Sequence, residues 1–185
     1  MLNDARIGER QTERNRGRRE LGRNSTMDGS LVSRSQEGYE PRWLIEALMA
    51  QSLIRERELA AIFARHVVVE EIPVGAPIIA QNRSDTDLFL ILSGEFSLVI
   101  DGRVVARNVA GEHVGEMAVV DPHAPRTASV IATSNSTIAR ISEPEFSALA
   151  DRFPRLWRRI AAGLASRLRN ANTNARERRE AAHAV

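Results

Sequence analysis

The sequence predicts a mainly β domain in which an antiparallel sheet is rolled on itself and flanked by helices. Between His66 and Ser142, apolar residues come in short runs of strand length, separated at even intervals by Gly, Pro, Asn and Asp. On either side, at Pro41–Phe63 and again from Ser142 to Asn172, apolar residues return at helical spacing. With 185 residues, 43% of them hydrophobic, the chain can bury one core of ordinary size, so a single domain with polar tails is expected.

Residues 1–40 carry no apolar periodicity. Up to Arg23 the chain alternates arginines with Asp4, Glu9, Glu13 and Glu20, which is the composition of a disordered tail or a weak solvated helix. An arm for nucleic acid or acidic lipid is the functional alternative, and initiation at Met27 is a further one. Asn24–Glu40 is rich in Ser and Gly and reads as linker.

The domain is expected over 41–172. Pro41 opens a helical stretch in which Leu44, Ala47, Leu48 and Ile54 share a face beside Trp43, which is read as a core or domain-edge residue; Leu59, Ile62 and Phe63 mark a second helix. The strand runs are HVVVEEI (66–72), PIIAQ (77–81), LFLILS (88–93), EFSLVI (95–100) and RVVARNV (103–109), then RTASVIAT (126–133) and STIARIS (136–142). Asp101-Gly102 is a two-residue hairpin signal. Gly75, Gly94 and Gly111 fall where a roll needs sharp corners. Ser142 is placed as an N-cap ahead of Glu143 and Glu145, and Phe146, Leu149 and Phe153 should face the sheet. Pro154 then opens a longer helix with Trp157, Ile160, Ala161, Leu164 and Leu168 on one stripe, and residues 173–185 form a polar tail expected to fray.

Composition narrows the function. The chain has no cysteine, which excludes disulfide scaffolds, thiolate metal sites and cysteine nucleophiles. It contains no apolar run of membrane-span length and no signal-peptide core, so a cytoplasmic protein is expected. All 26 basic residues are arginine, yet the net charge is only +2, which reads as codon bias more than as a nucleic-acid surface.

The stretch with chemistry in it is Gly111–Val130, GEHVGEMAVVDPHAPRTASV. Gly115 permits a positive-φ turn, the amides after it form a helix start that favours an anion, and Arg126 offers a planar cationic fork for phosphate oxygens. Glu116 does not belong beside an anion unless it accepts hydrogen bonds from a neutral part of the same ligand, such as a sugar hydroxyl. The plain alternative is an internal Glu116–Arg126 salt bridge that holds a loop. His113 and His123 lack the paired spacing of a metal-binding cupin, so no metal is expected, and no nucleophile and base are arranged for hydrolysis.

Gly115-Glu116-Met117-Ala118 followed by Pro125-Arg126-Thr127-Ala128 resembles the phosphate-binding cassette of the cyclic nucleotide-binding domain family, and the resemblance runs from about Trp43 to Leu168. It implies a double-stranded β-helix, or jelly-roll, acting as a stand-alone non-catalytic sensor. It further implies that Glu116 binds the ribose 2′-hydroxyl, that Arg126 binds the cyclic phosphate and that the amides of Ala118 and Thr127 share it. Placed against the family's bacterial activators, Asn172 falls near a base-contacting position, and Trp157, Leu164 and Leu168 fall on a dimer stripe that could equally pack on its own domain. The Glu116–Arg126 gap, similar to those activators, ranks cAMP ahead of cGMP, while Thr127 keeps cGMP open. Ligand binding is expected to move the C-terminal helix toward an unidentified protein effector. The chain has no room after that helix for a DNA-reading helix-turn-helix, so sequence-specific DNA binding is not expected. The alternative is a scaffold or oligomerisation protein with a degenerate pocket that works through its helices and tails.

Overall fold

The computed structural model describes residues 41–183, so the expectations for residues 1–40 lie outside the described residues. Two helices open the domain, α1 (Arg42–Met49) and α2 (Arg57–Phe63). Eight strands follow: β1 (Val68–Ile72), β2 (Pro77–Ile79), β3 (Leu88–Ser93), β4 (Glu95–Ile100), β5 (Arg103–Val109), β6 (His113–Val114), β7 (Ser129–Ala132) and β8 (Ser136–Ile141). The short helix α3 (Glu116–Val120) lies between β6 and β7, and α4 (Glu143–Arg152) and α5 (Arg155–His183) close the chain.

The strands form two four-stranded antiparallel sheets, ordered β1-β8-β3-β6 and β2-β7-β4-β5. Each strand run read from the sequence is present; the two-residue β6 was not expected. Successive side chains of β3 enter different cores, as the twofold alternation of a strand requires. Leu88 and Leu90 face the helices and pack with Leu48, Phe63, Phe146 and Ile160. Phe89 and Ile91 face the roll interior, where Phe96, Val130 and Ile138 meet them. This two-sided burial explains why LFLILS is a continuous apolar run. Asp101 (φ 49°) and Gly102 (φ 74°) make the hairpin between β4 and β5, both left-handed as a two-residue turn of this kind requires. Gly94 is demanded by space as well as by its φ of 86°, since a Cβ there would stand 2.0 Å from Ser136 Oγ.

Four expectations need correction. The first helix stops at Met49, and the chain turns through Arg55 (φ 62°) before α2; Ile54 is buried from that turn, which mimics helical spacing. Of the two roles read for Trp43, core and domain edge, its 53% exposure removes the first and leaves the second. Ser142 occupies the N-cap position of α4, but its hydroxyl donates to Glu145 Oε2 at 2.7 Å and makes no capping bond. The tail does not fray at Asn172: α5 runs on to His183, because the Ala, Arg and Glu of that segment are strong helix formers and no Pro or Gly follows Gly163. At 29 residues α5 is about 44 Å long. No described helix is long and apolar enough to cross a membrane.

Candidate functional site

Three pieces of chain build the site: the turn from β6 into α3, the loop returning to β7, and the loop between β2 and β3. Gly115 starts α3 with φ 91°. A Cβ at Gly115 would stand 2.7 Å from Asp87 O and 2.8 Å from Arg126 Nη1, so the glycine is required by close approach as well as by its backbone angle.

Arg126 lies against that bare backbone and is only 4% exposed. Its main chain is pinned to the β2–β3 loop, its N–H donating to Arg83 O at 2.7 Å and its carbonyl accepting from Asn82 N at 2.8 Å. The guanidinium donates from Nε (3.0 Å) and Nη2 (2.7 Å) to Asp85 Oδ2, from Nη2 to Asp87 O (2.7 Å) and from Nη1 to Gly115 O (3.2 Å). Phe89 lies beneath it, with its ring centroid 6.0 Å from the guanidinium carbon.

Glu116 is 3% exposed, and its carboxylate accepts a hydrogen bond from Arg167 Nη1, 51 residues downstream on α5. Nη2 of Arg167 donates to His113 O at 3.0 Å. Burial pushes the Glu116 carboxyl above its ordinary pKa, opposed by Arg167, the Glu116 backbone N–H and Arg126. The His113 ring is buried, with Ser52 Oγ 3.4 Å from its Nδ1, and among the described residues Nε2 has no partner. Burial, with the charge of Arg167 second, holds His113 down at about 4, so it is neutral near pH 7.

Of the residues read from the sequence, those of the cassette, Gly115 to Ala118 and Arg126 to Ala128, lie together, and among the described residues Asn172 is not joined to them. Glu116 and Arg126 do not pair with each other, as an internal salt bridge would have them do; each takes a partner from a distant segment. Met117 and Thr127 are both exposed, and the Thr127 hydroxyl donates to Met117 Sδ at 3.7 Å. Ala118 and Ala128 are buried, and the Ala118 N–H donates to Gly115 O at 3.2 Å within the first turn of α3. Asn172 is exposed on α5, about one and a half turns beyond Arg167, and among the described residues no side-chain hydrogen bond joins it to the cassette. Among the described residues no three His, Asp or Glu side chains come together to hold a metal ion.

Sequence reasoning missed Asp85, Asp87 and Arg167. The two aspartates lie in the polar segment between the runs PIIAQ and LFLILS, where no local pattern marks them. Arg167 was one of 26 arginines, and nothing in the spacing marked it. Together the site holds a buried cation paired with Asp85 and, beside it, a buried carboxylate paired with Arg167.

Residues 69–153 match the family profile described as Cyclic nucleotide-binding domain. The chain is 38% identical over 143 residues to the Pycsar effector protein XpPycTIR of Xanthomonas perforans, covering 77% of this chain and 47% of that protein. It therefore spans about half the length of that relative. The fold is similar to the crystal structure of Thermus thermophilus catabolite activator protein (TM-score 0.55, 27% identity, covering 75% of this chain and 60% of that one). It is also similar to a cyclic nucleotide-binding domain from Methylobacillus flagellatus (TM-score 0.60, 20% identity, covering 72% and 81%). Profile, relatives and rolled sheets agree: through residues 69–153 the chain belongs to the cyclic nucleotide-binding domain family.

Proposed function

We propose that the chain is a cytoplasmic, non-catalytic sensor in which a 3′,5′-cyclic nucleotide binds at the α3 cassette and changes the hold of α5 on the domain. One observation carries this reading: Glu116, the acid suited to a ribose hydroxyl, is held by Arg167 of α5, so the ligand site and the last helix share a contact. A hydroxyl that donates to Glu116 competes with Arg167 for the carboxylate. Binding then favours arrangements in which α5 has let go, by as much as the ligand prefers the freed carboxylate. Arg126 holds the phosphate, helped by the amides of Ala118 and Thr127, and Thr127 and Met117 meet the base. cAMP ranks ahead of cGMP on the spacing of the cassette.

The output passes through α5 to a protein effector, which fits relatives named effector proteins of which this chain matches about half. Of the stripe read as a possible dimer seam, Trp157 and Leu164 pack against this domain's own core, and Leu168 stays exposed for a second copy of the helix, with Ala161, Ala171 and Ala175 exposed at heptad spacing to it. Light scattering with and without ligand reads that pairing.

Calorimetric titration with cAMP, cGMP, cCMP and cUMP tests the reading. At least one should bind, and Arg126→Ala should weaken it by about 2 to 5 kcal/mol, because the phosphate loses its buried charged partner. A folded wild-type protein that binds none of the four would favour a scaffold with a degenerate pocket instead.

A further inference from the structure

Asp85 occupies the side of Arg126 that a phosphate would need. A guanidinium has five N–H groups. Here Nε donates to Asp85, the two on Nη2 go to Asp85 and Asp87 O, and one on Nη1 goes to Gly115 O, which leaves a single Nη1 hydrogen. Two-point recognition of phosphate oxygens uses a pair of parallel N–H groups on one edge. With Nη2 fully engaged, neither edge of the fork is free.

The three partners of the guanidinium are not equally replaceable. Gly115 O and Asp87 O are backbone, and Arg126 itself is 3% exposed at its side chain and tied by its main chain to Arg83 and Asn82. Asp85 is 45% exposed at its side chain and reaches in from the β2–β3 loop with one carboxylate oxygen. It is the partner that can leave without breaking backbone structure.

We propose that Asp85 is a built-in competitor for the ligand's phosphate and sets the affinity of the site. The inference rests on the cyclic nucleotide reading above. In the free protein Asp85 neutralises a buried cation that would otherwise have no counter-charge, and the incoming phosphodiester exchanges one monoanion for another. At the cassette Arg126 pairs with Asp85 and Arg167 with Glu116, so an approaching anion finds neither cation without a counter-charge. Removing the charge of Asp85 makes the site more positive by one, and removing its side chain also opens the guanidinium edge.

The test is a set of titrations of wild-type protein, Asp85→Asn, Asp85→Ala and Arg126→Ala with the cyclic nucleotide that binds best, at low and high salt. Both Asp85 variants should bind about tenfold more tightly than wild type at low salt. Their affinity should fall more steeply with added salt than that of wild type, because losing Asp85 adds one positive charge to the site that salt screens. Equal or weaker binding by folded Asp85→Asn and Asp85→Ala, with Arg126→Ala still defective, would overturn the competitor role and leave the cyclic nucleotide reading intact. It would make Asp85 a residue that orients Arg126. Failure of every form, wild type included, to bind would remove both.

Discussion

The two halves of α5 are held by different physics. At its base, Leu156 and Ile160 are fully buried against the helical core, and Arg155 and Arg159 both reach Glu56, with Arg159 also donating to Leu53 O and Ile54 O at 2.8 and 2.6 Å. From Ala165 onward every described side chain is exposed, and the tie to the site is Arg167 on Glu116 and His113 O. Apolar burial does not depend on what occupies the cassette, whereas the distal tie ends on Glu116, the acid proposed above to meet the ligand's ribose hydroxyl. On the function proposed above, a helix hinged at a greasy base and tethered only through Arg167 would respond to a ligand without unfolding the domain.

This contrast can be broken at either end. The largest effect is expected at the base: Ile160→Ala removes buried methylenes from a packed core and should lower unfolding free energy by about 2 to 5 kcal/mol in urea titration. Acid should act on the distal anchor. The folded pKa of His113 is about 4 against an ordinary 6.5, so the unfolded chain takes the proton first. Its contribution is complete above pH 6.5 and is lost as pH falls from 6.5 toward 4, by up to about 3 kcal/mol. Glu116 works in the opposite sense. Its raised pKa means the folded protein takes that proton first, so acidification through the window just above the ordinary carboxylate value of 4.5 adds stability. His113→Asn should therefore flatten the acid limb of a stability profile measured by thermal melting.

Arg159→Ala, which removes two bonds to carbonyls and one arm of the Glu56 clamp, should cost about 1 to 2 kcal/mol. The smallest effect belongs to Leu168→Ala, on a side chain 63% exposed, at less than about 0.5 kcal/mol for the monomer. If Leu168→Ala proved as damaging as Ile160→Ala, the distal half would be packed against something and the comparison would fail.

The strands were legible in the sequence because their alternation and turn residues are local signals. LFLILS, Asp101-Gly102 and the corner glycines each state their geometry within a few residues. The cassette was legible for the same reason, since Gly115 through Ala118 and Pro125 through Ala128 are contiguous phrases. The partners of its two charges were not. Asp85 reaches Arg126 across 41 positions and Arg167 reaches Glu116 across 51, and a side-chain pair joined only by the fold leaves no periodicity behind. The true end of α5 was missed because a polar, charged segment was read as tail, although Ala, Arg and Glu hold a helix without an apolar face.

The central claim is that ligand in the cassette and Arg167 on Glu116 exclude one another, so that binding frees the distal half of α5. The chain has no native cysteine, so single cysteines at Ala175 and at Val105 on β5 can carry spin labels cleanly. Pulsed electron–electron resonance on the labelled protein, with and without saturating cyclic nucleotide, should show a single narrow distance in the free state. With ligand the distance should shift or broaden, and Arg167→Ala should reproduce that change without ligand. An unchanged distance distribution in protein that calorimetry shows to be fully bound would contradict the account.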